Sequence, residues 1–151
     1  MKARTLRRFI NFWPPLFFSG ISATYISDDF RVVEVSLKLR WYNRNYVGTQ
    51  FGGSLFAMTD PWYVLMLMHN LGNDYYVWDK QADINFITPG RTAVTARFEL
   101  SETVLNEIRA HTANGEKYFP SFTVSVLDKD SNLVAQVERR LYVRKKPKAR
   151  P

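Results

Sequence analysis

Between residues 30 and 40, FRVVEVSLKLR, apolar and polar side chains alternate. Val33, Val35, Leu37 and Leu39 fall on one side; Glu34, Ser36, Lys38 and Arg40 fall on the other. A period of two predicts a strand with one buried face. Residues 53–71, GSLFAMTDPWYVLMLMHNL, are instead apolar on nearly all sides at helical spacing, which predicts a long buried helix closed by Gly72-Asn73. Further on, YYVWDKQADINFI, TAVTARFEL, KYFPSFTVSVLD and LVAQVERRLYVRKK read as strands. A Thr88–Arg91 turn, a short helix in SETVLNEIRAH with Ser101 as N-cap, and a hairpin-like turn over Asp128–Asn132 separate them. A first helix over about residues 2–12 should stop at Pro14-Pro15, and LFFSGISATYISDD reads as an apolar start followed by a turn. An antiparallel sheet of five or six strands wrapped around the one long helix would bury it economically, an α+β arrangement.

Composition narrows the chemistry. The 151 residues are the usual size of one domain. The absence of cysteine excludes disulfides, thiolate metal sites and a Cys nucleophile, and two histidines, His69 and His111, all but exclude a multi-His metal site. No metal or cofactor is therefore expected. The net charge of +7 is carried by the ends: Lys2, Arg4, Arg7 and Arg8 at one, Arg144, Lys145, Lys146, Lys148 and Arg150 at the other. Between them 12 basic residues face 14 acidic ones, which speaks against a nucleic-acid partner. The expected division is an N-terminal basic extension over 1–13, a folded domain over 14–143 and a basic tail over 144–151. The basic ends read as solvated, with attraction to acidic surfaces or a phosphate-bearing ligand as the alternative. The N-terminal stretch has the outline of a signal peptide, but Asn11 and the proline pair interrupt its apolar part. No run approaches the roughly 20 apolar residues that span a bilayer. A cytoplasmic protein without a membrane span is expected.

Two features within residues 51–61 suggest chemistry. Gly52-Gly53 opens the predicted helix, where free amides and the absence of Cβ atoms allow a polarised carbonyl oxygen to approach. Asp60 is a lone carboxylate in an apolar run and is a candidate general base or nucleophile. Asp60-Pro61 is equally a good N-cap followed by a favoured first helical residue, which would break the helix at Thr59 and satisfy the carboxylate with backbone amides. Gly53 and Asp60 share a helix face but lie about 10 Å apart along the axis, at ~1.5 Å per residue. Other polar residues have simple structural readings: His69 at a helix C-terminus, His111 solvated, Asp79, Lys80 and Asp83 in cross-strand charge pairs, Arg91 exposed after its turn.

The order of elements resembles the hotdog fold. Asn45-Tyr46-Val47-Gly48-Thr49-Gln50-Phe51-Gly52-Gly53 resembles the Asn-x-x-Gly-Thr-x-His-Gly-Gly motif of phenylacetyl-CoA-type hotdog thioesterases, and Leu55–Asp60 is similar to their Phe-Ala-x-x-Asp helix. Ile84–Gly90 resembles the strand before that family's Phe-x-x-Pro turn. The likeness covers about residues 14–143 and is narrowest to an uncharacterised bacterial branch with provisional thioesterase labels. It implies an acyl-CoA or acyl-carrier-protein thioesterase that works as a homodimer, with tetramers formed by further pairing. Gly53 of one subunit would then face the partner's Asp60, and Asn45 would hold the attacking water or the substrate. Phe51, Gly52, Ser54, Thr59 and Arg91 would contact substrate, Arg91 at a CoA phosphate. Phe51 departs from the family's histidine. That departure opens the alternative of a non-catalytic hotdog module binding an acyl or aromatic ligand.

Overall fold

The computed structural model describes residues 1–147. In chain order these form α1 (Ala3–Ile10), α2 (Pro14–Phe17), β1 (Ile21–Ile26), β2 (Val32–Leu37), α3 (Gly52–Ala57), α4 (Trp62–Leu71), β3 (Tyr75–Phe86), β4 (Val94–Glu99), α5 (Glu102–Thr112), β5 (Lys117–Tyr118), β6 (Ser121–Asp128) and β7 (Leu133–Lys145). The sheet runs β1-β2-β4-β6-β7-β3 with every pairing antiparallel, and the two-residue β5 adds to β7. The six-stranded path matches the expected count, with β5 as a seventh strand. Inward side chains from β2, β4, β6 and β7, among them Leu37, Phe98, Val126 and Leu141, meet Met66, Leu67 and Trp62 in one core.

Local structure departs from the sequence reading at four places. The predicted helix over 53–71 is two helices, α3 and α4, broken between Met58 and Pro61, with a cis Asp60-Pro61 peptide bond. The Trp62 indole N–H donates to the Met58 carbonyl at 2.8 Å, so the first side chain of α4 ties down the end of α3. Nor is α4 apolar on all sides in practice: Met68 and His69 face solvent while Trp62, Tyr63, Met66 and Leu67 are buried. ISATYI, read as part of a turn, is the edge strand β1. KYFPSFTVSVLD, read as one strand, divides at Phe119-Pro120 into β5 and β6, as a proline without an N–H requires.

α1 lies against β1 and contributes Ala3, Leu6 and Ile10 to the core. Asn11 extends this contact. Its amide donates to the Ala23 carbonyl at 3.0 Å, and its carbonyl accepts the Ala23 N–H at 2.7 Å, which satisfies part of an edge strand with a side chain. At the other end, the first two residues of the expected basic tail, Arg144 and Lys145, continue β7, and Arg144 donates to the Gly115 carbonyl at 2.8 Å. The tail residues 148–151 lie outside the described residues.

Ser101 caps α5 as read from the sequence, its hydroxyl accepting the Val104 N–H at 3.2 Å. Ser101→Ala is expected to lower unfolding free energy by about 1 kcal/mol, measured by urea denaturation, with the native fold retained.

Candidate active site

Asp60 caps no helix. No side chain caps the start of α4, and the Asp60 carboxylate instead accepts from Arg139 Nη1 at 3.2 Å. Arg139 comes from the middle of β7 and is 3% exposed. Its guanidinium also donates to the Thr59 hydroxyl at 3.0 and 3.3 Å and to the Phe56 carbonyl at 3.3 Å, and pairs with Asp79 at 3.5 Å. Thr59, itself buried, donates its hydroxyl to the Phe56 carbonyl at 2.8 Å. The helix break is therefore bridged by a charged side chain from the sheet, which serves the Thr59 hydroxyl and adds a donor to the Phe56 carbonyl, already met by the Thr59 N–H at 3.1 Å.

The two carboxylates differ in environment. The Asp60 side chain is 51% exposed; that of Asp79 is 29% exposed. Burial pushes the Asp79 carboxyl above its ordinary range; the Arg139 charge opposes this, and the charge on Asp60 adds to it. Asp79 faces inward by alternation with Tyr75 and Val77, and a bulge follows between Asp79 and Gln81. It lets Lys80 and Gln81 both point outward while Tyr75, Val77 and Asp79 before it, and Ala82 and Ile84 after it, share the inner face. Of the expected charge pairs on this strand, Asp79 finds Arg139, Asp83 accepts from Gln81 Nε2 at 3.0 Å, and the Lys80 ammonium lies 4.1 Å from the Phe119 ring centre.

Gly52-Gly53 opens α3 after Phe51, as expected from the sequence, but α3 is only six residues long, so little dipole accumulates behind it. Ser54 and Leu55 N–H both donate to the Phe51 carbonyl at 3.0 Å. The room left by the missing Cβ atoms is taken by aromatic rings. A Cβ on Gly52 would sit 3.1 Å from the Phe86 ring, and one on Gly53 would sit 2.6 Å from the Phe51 ring. Beside Gly52 opens a cleft of about 520 Å³, with Asn45 and Thr49 on one wall and Phe86 and Arg91 on another.

The structure thus sorts the sequence candidates into two groups. Asn45, Gly52 and Arg91 meet at the cleft. Asp60 and Thr59 meet at Arg139. Ser54 is buried in α3, and Phe51 is half exposed at its start. The Asn45 amide is engaged within its own loop: it donates to the Thr49 hydroxyl at 2.9 Å and accepts the Thr49 N–H at 2.9 Å. Arg139 and Gln50 escaped the sequence reading. The signal for Arg139 was its parity with Val137, Leu141 and Val143, all buried, along β7. Gln50 is buried beside the cleft, donating to the Leu37 and Thr92 carbonyls at 3.2 and 3.0 Å, while its Oε1 lacks a partner. The histidines play structural parts: His69 stacks on Phe30 with ring centres 3.6 Å apart, and His111 on Tyr118 at 4.3 Å.

A broken central helix wrapped by an antiparallel sheet defines the hotdog fold, and solved structures agree. A Pseudomonas aeruginosa protein described as a probable thioesterase is 16% identical, with 96% of this chain and 97% of that one covered at a TM-score of 0.84. A Shewanella oneidensis protein provisionally named a thioesterase is 24% identical, with 96% and 97% covered at 0.70. A Haemophilus influenzae thioesterase is 14% identical, with 100% and 96% covered at 0.71. No protein with a curated description matches the chain. The chain belongs to the family described as domain of unknown function DUF4442, whose model matches residues 2–143.

Removing Arg139 strands two carboxylates and the end of α3 together. Arg139→Met is expected to cost on the order of 3 kcal/mol in urea unfolding, and Arg139→Lys to recover only part of it, because an ammonium cannot reproduce the planar fork. Asp79 also predicts a pH dependence. Its folded carboxyl holds a proton more tightly than the unfolded one, so its contribution to stability is present below the ordinary 3.8 and is lost as pH rises through the folded value. In Asp60→Asn the repulsion disappears, and carboxyl-carbon NMR titration should find Asp79 ionising at lower pH, with that window narrowed.

Proposed function

We propose that the chain hydrolyses thioesters, with acyl-CoA or an acyl carrier protein as the substrate class, at a site completed by two copies of the chain. The observation that carries this is the placing of Asp60. One side of its carboxylate is held by a buried guanidinium, and the other is half exposed at a helix break, free to meet water. In the proposed reaction Asp60 takes a proton from water as the water oxygen attacks the thioester carbonyl. The carbonyl oxygen becomes an oxyanion stabilised by the Gly52 and Gly53 amides of the other protomer. Collapse breaks the C–S bond, and Asp60 returns the proton to the departing thiolate. Arg139 touches no substrate in this scheme; it fixes the carboxylate's direction through the 3.2 Å contact from Nη1.

The two-copy requirement follows from the separation of the two groups. Asp60 lies with Arg139, while the cleft lies beside Gly52. β3 is a twelve-residue strand at the end of the sheet, with Tyr76, Trp78 and Phe86 exposed, an edge that a partner strand would satisfy. Antiparallel pairing of two β3 strands about Asp83, with the bulged Lys80 left out of the ladder, sets Asp79 opposite the partner's Phe86. Since Phe86 lies against Gly52, that register carries one chain's glycine amides toward the other's acid. In this arrangement the cleft has the size of a small-ligand site, Arg91 is available to a CoA phosphate, and Asn45 contributes through the loop it braces.

Phe51 favours a second reading, a module that binds an acyl or aromatic ligand without turnover. Its ring covers Gly53, on the face where a carbonyl would have to approach. Hydrolysis of an acyl-CoA panel separates the two. Asp60→Asn keeps the shape and is expected to lower kcat/KM on the order of 10²-fold, with sedimentation showing a dimer in both proteins. Equal rates in the two would remove Asp60 from the chemistry, and ligand-induced thermal stabilisation without hydrolysis would favour the second reading.

A further inference from the structure

The most unusual surface of the molecule lies around α1, α2 and the loop after β2, and the proposed hydrolysis makes no use of it. Phe9, Phe12, Trp13, Phe17 and Phe18 are all exposed there, Phe12 by 74% and Phe18 by 73%. Phe12 stacks on Phe17 with ring centres 6.0 Å apart, and Phe17 meets Phe18 edge-on at 5.4 Å. Across a groove of about 660 Å³ stand Trp41, 80% exposed, and Tyr42, their rings 5.6 Å apart. So many large rings left in water form a contiguous apolar patch of the kind that marks an interaction surface.

The charge of the same face says what it meets. Residues 1–27 contain no Asp or Glu. Lys2, Arg4 and Arg8 are exposed on and beside α1, and Lys38 and Arg40 stand at the aromatic groove. Arg7 is turned inward, donating to the Thr24 carbonyl at 2.7 Å, so the exposed cations are the ones not spent on the fold. α1 itself is amphipathic, burying Ala3, Leu6 and Ile10 beneath this face. Phenylalanine and tryptophan rings among arginines and lysines, with no carboxylate between them, are the composition of a segment that lies in the interface of an anionic bilayer.

We infer that this face docks the protein onto negatively charged membrane surfaces, with the rings of α1 and α2 entering the headgroup boundary and the flanking cations meeting lipid phosphates. No helix among the described residues is long and apolar enough to cross a membrane, so the attachment is peripheral and reversible. α1 packs on β1, at the opposite end of the strand order from β3, and docking therefore does not draw on the strand that the proposed dimer uses. The inference stands or falls apart from thioester hydrolysis.

Vesicle flotation with the full-length protein tests it. The protein is expected to float with phosphatidylcholine vesicles containing roughly a quarter phosphatidylglycerol, and to do so at least about tenfold less with phosphatidylcholine alone. High salt should weaken the attachment. Phe12→Ser with Phe18→Ser, at exposed positions, should lower the bound fraction tenfold or more while leaving melting temperature and solution hydrolysis as in the parent. Arg4→Glu with Arg8→Glu should abolish the preference for anionic vesicles. Absence of flotation, equal binding to both vesicle types, or undiminished binding by the phenylalanine variant would each overturn the proposal. So would a phenylalanine variant that changes the oligomeric mass while neither protein floats, which would make the face a contact between copies.

Discussion

One guanidinium holds the interior of this molecule to its surface chemistry. Arg139 is buried, and removing a cation from water costs several kcal/mol unless its donors are matched. Here they are: the Phe56 carbonyl, the Thr59 hydroxyl and the carboxylates of Asp60 and Asp79 arrange themselves around it. Those four acceptors belong to the end of α3, the break after it and β3. A single side chain from β7 thus ties the α3–α4 break and β3 to its own strand. The break between α3 and α4 has its own backbone and Trp62 contacts, at the Phe56, Ala57 and Met58 carbonyls, and Arg139 adds the tie that joins it to the sheet. The planar, always-charged fork suits this task in a way that a lysine cannot.

The same arrangement explains how an acid persists in an otherwise apolar stretch. Asp60 is neither capped by amides nor wholly buried. It lies at the boundary, paired inward and open outward. Its neighbour Asp79 shares the same counter-charge from a drier position and so gives up its proton less readily. Burial is the largest cause, Arg139 opposes it, and the charge on Asp60 adds to it. The cleft at Gly52, by contrast, carries amides, an aromatic wall and a surface arginine but no carboxylate. Each half lacks what the other has, and the proposed pairing of chains follows from that division.

Much of this was legible in the chain itself. The period-two pattern of residues 30–40 gives β2, the Ser101 signal gives α5, and element order together with the Asn45–Gly53 and Leu55–Asp60 motifs resembles the hotdog family. What escaped did so for physical reasons. ISATYI has too few strongly apolar positions to stand out as a strand, and part of its pairing comes from the Asn11 side chain, which no local window can see. The helix break could be suspected from Asp60-Pro61, but the partner of Asp60 lies 79 residues away on another strand. Arg139 sits between Glu138 and Arg140, and a run of charges reads as solvated unless strand parity is followed from Val137 to Val143. Along β3, the bulge reverses parity midway, so simple alternation assigns Ala82 and Ile84 to the wrong side.

That extra residue in β3 has a further effect. Asp79 and Gln81 face neighbouring positions on β7, Leu141 and Arg140, so Lys80 is surplus to the ladder. A chain lacking it would keep every inward side chain where it is and gain a straight, unbroken outer strand. Such a ribbon accepts a neighbour at many offsets and can go on adding copies without end. The surplus lysine makes the rim uneven, so that an approaching strand of the same kind has few ways to lie alongside it: a small irregularity that works against open-ended addition of copies.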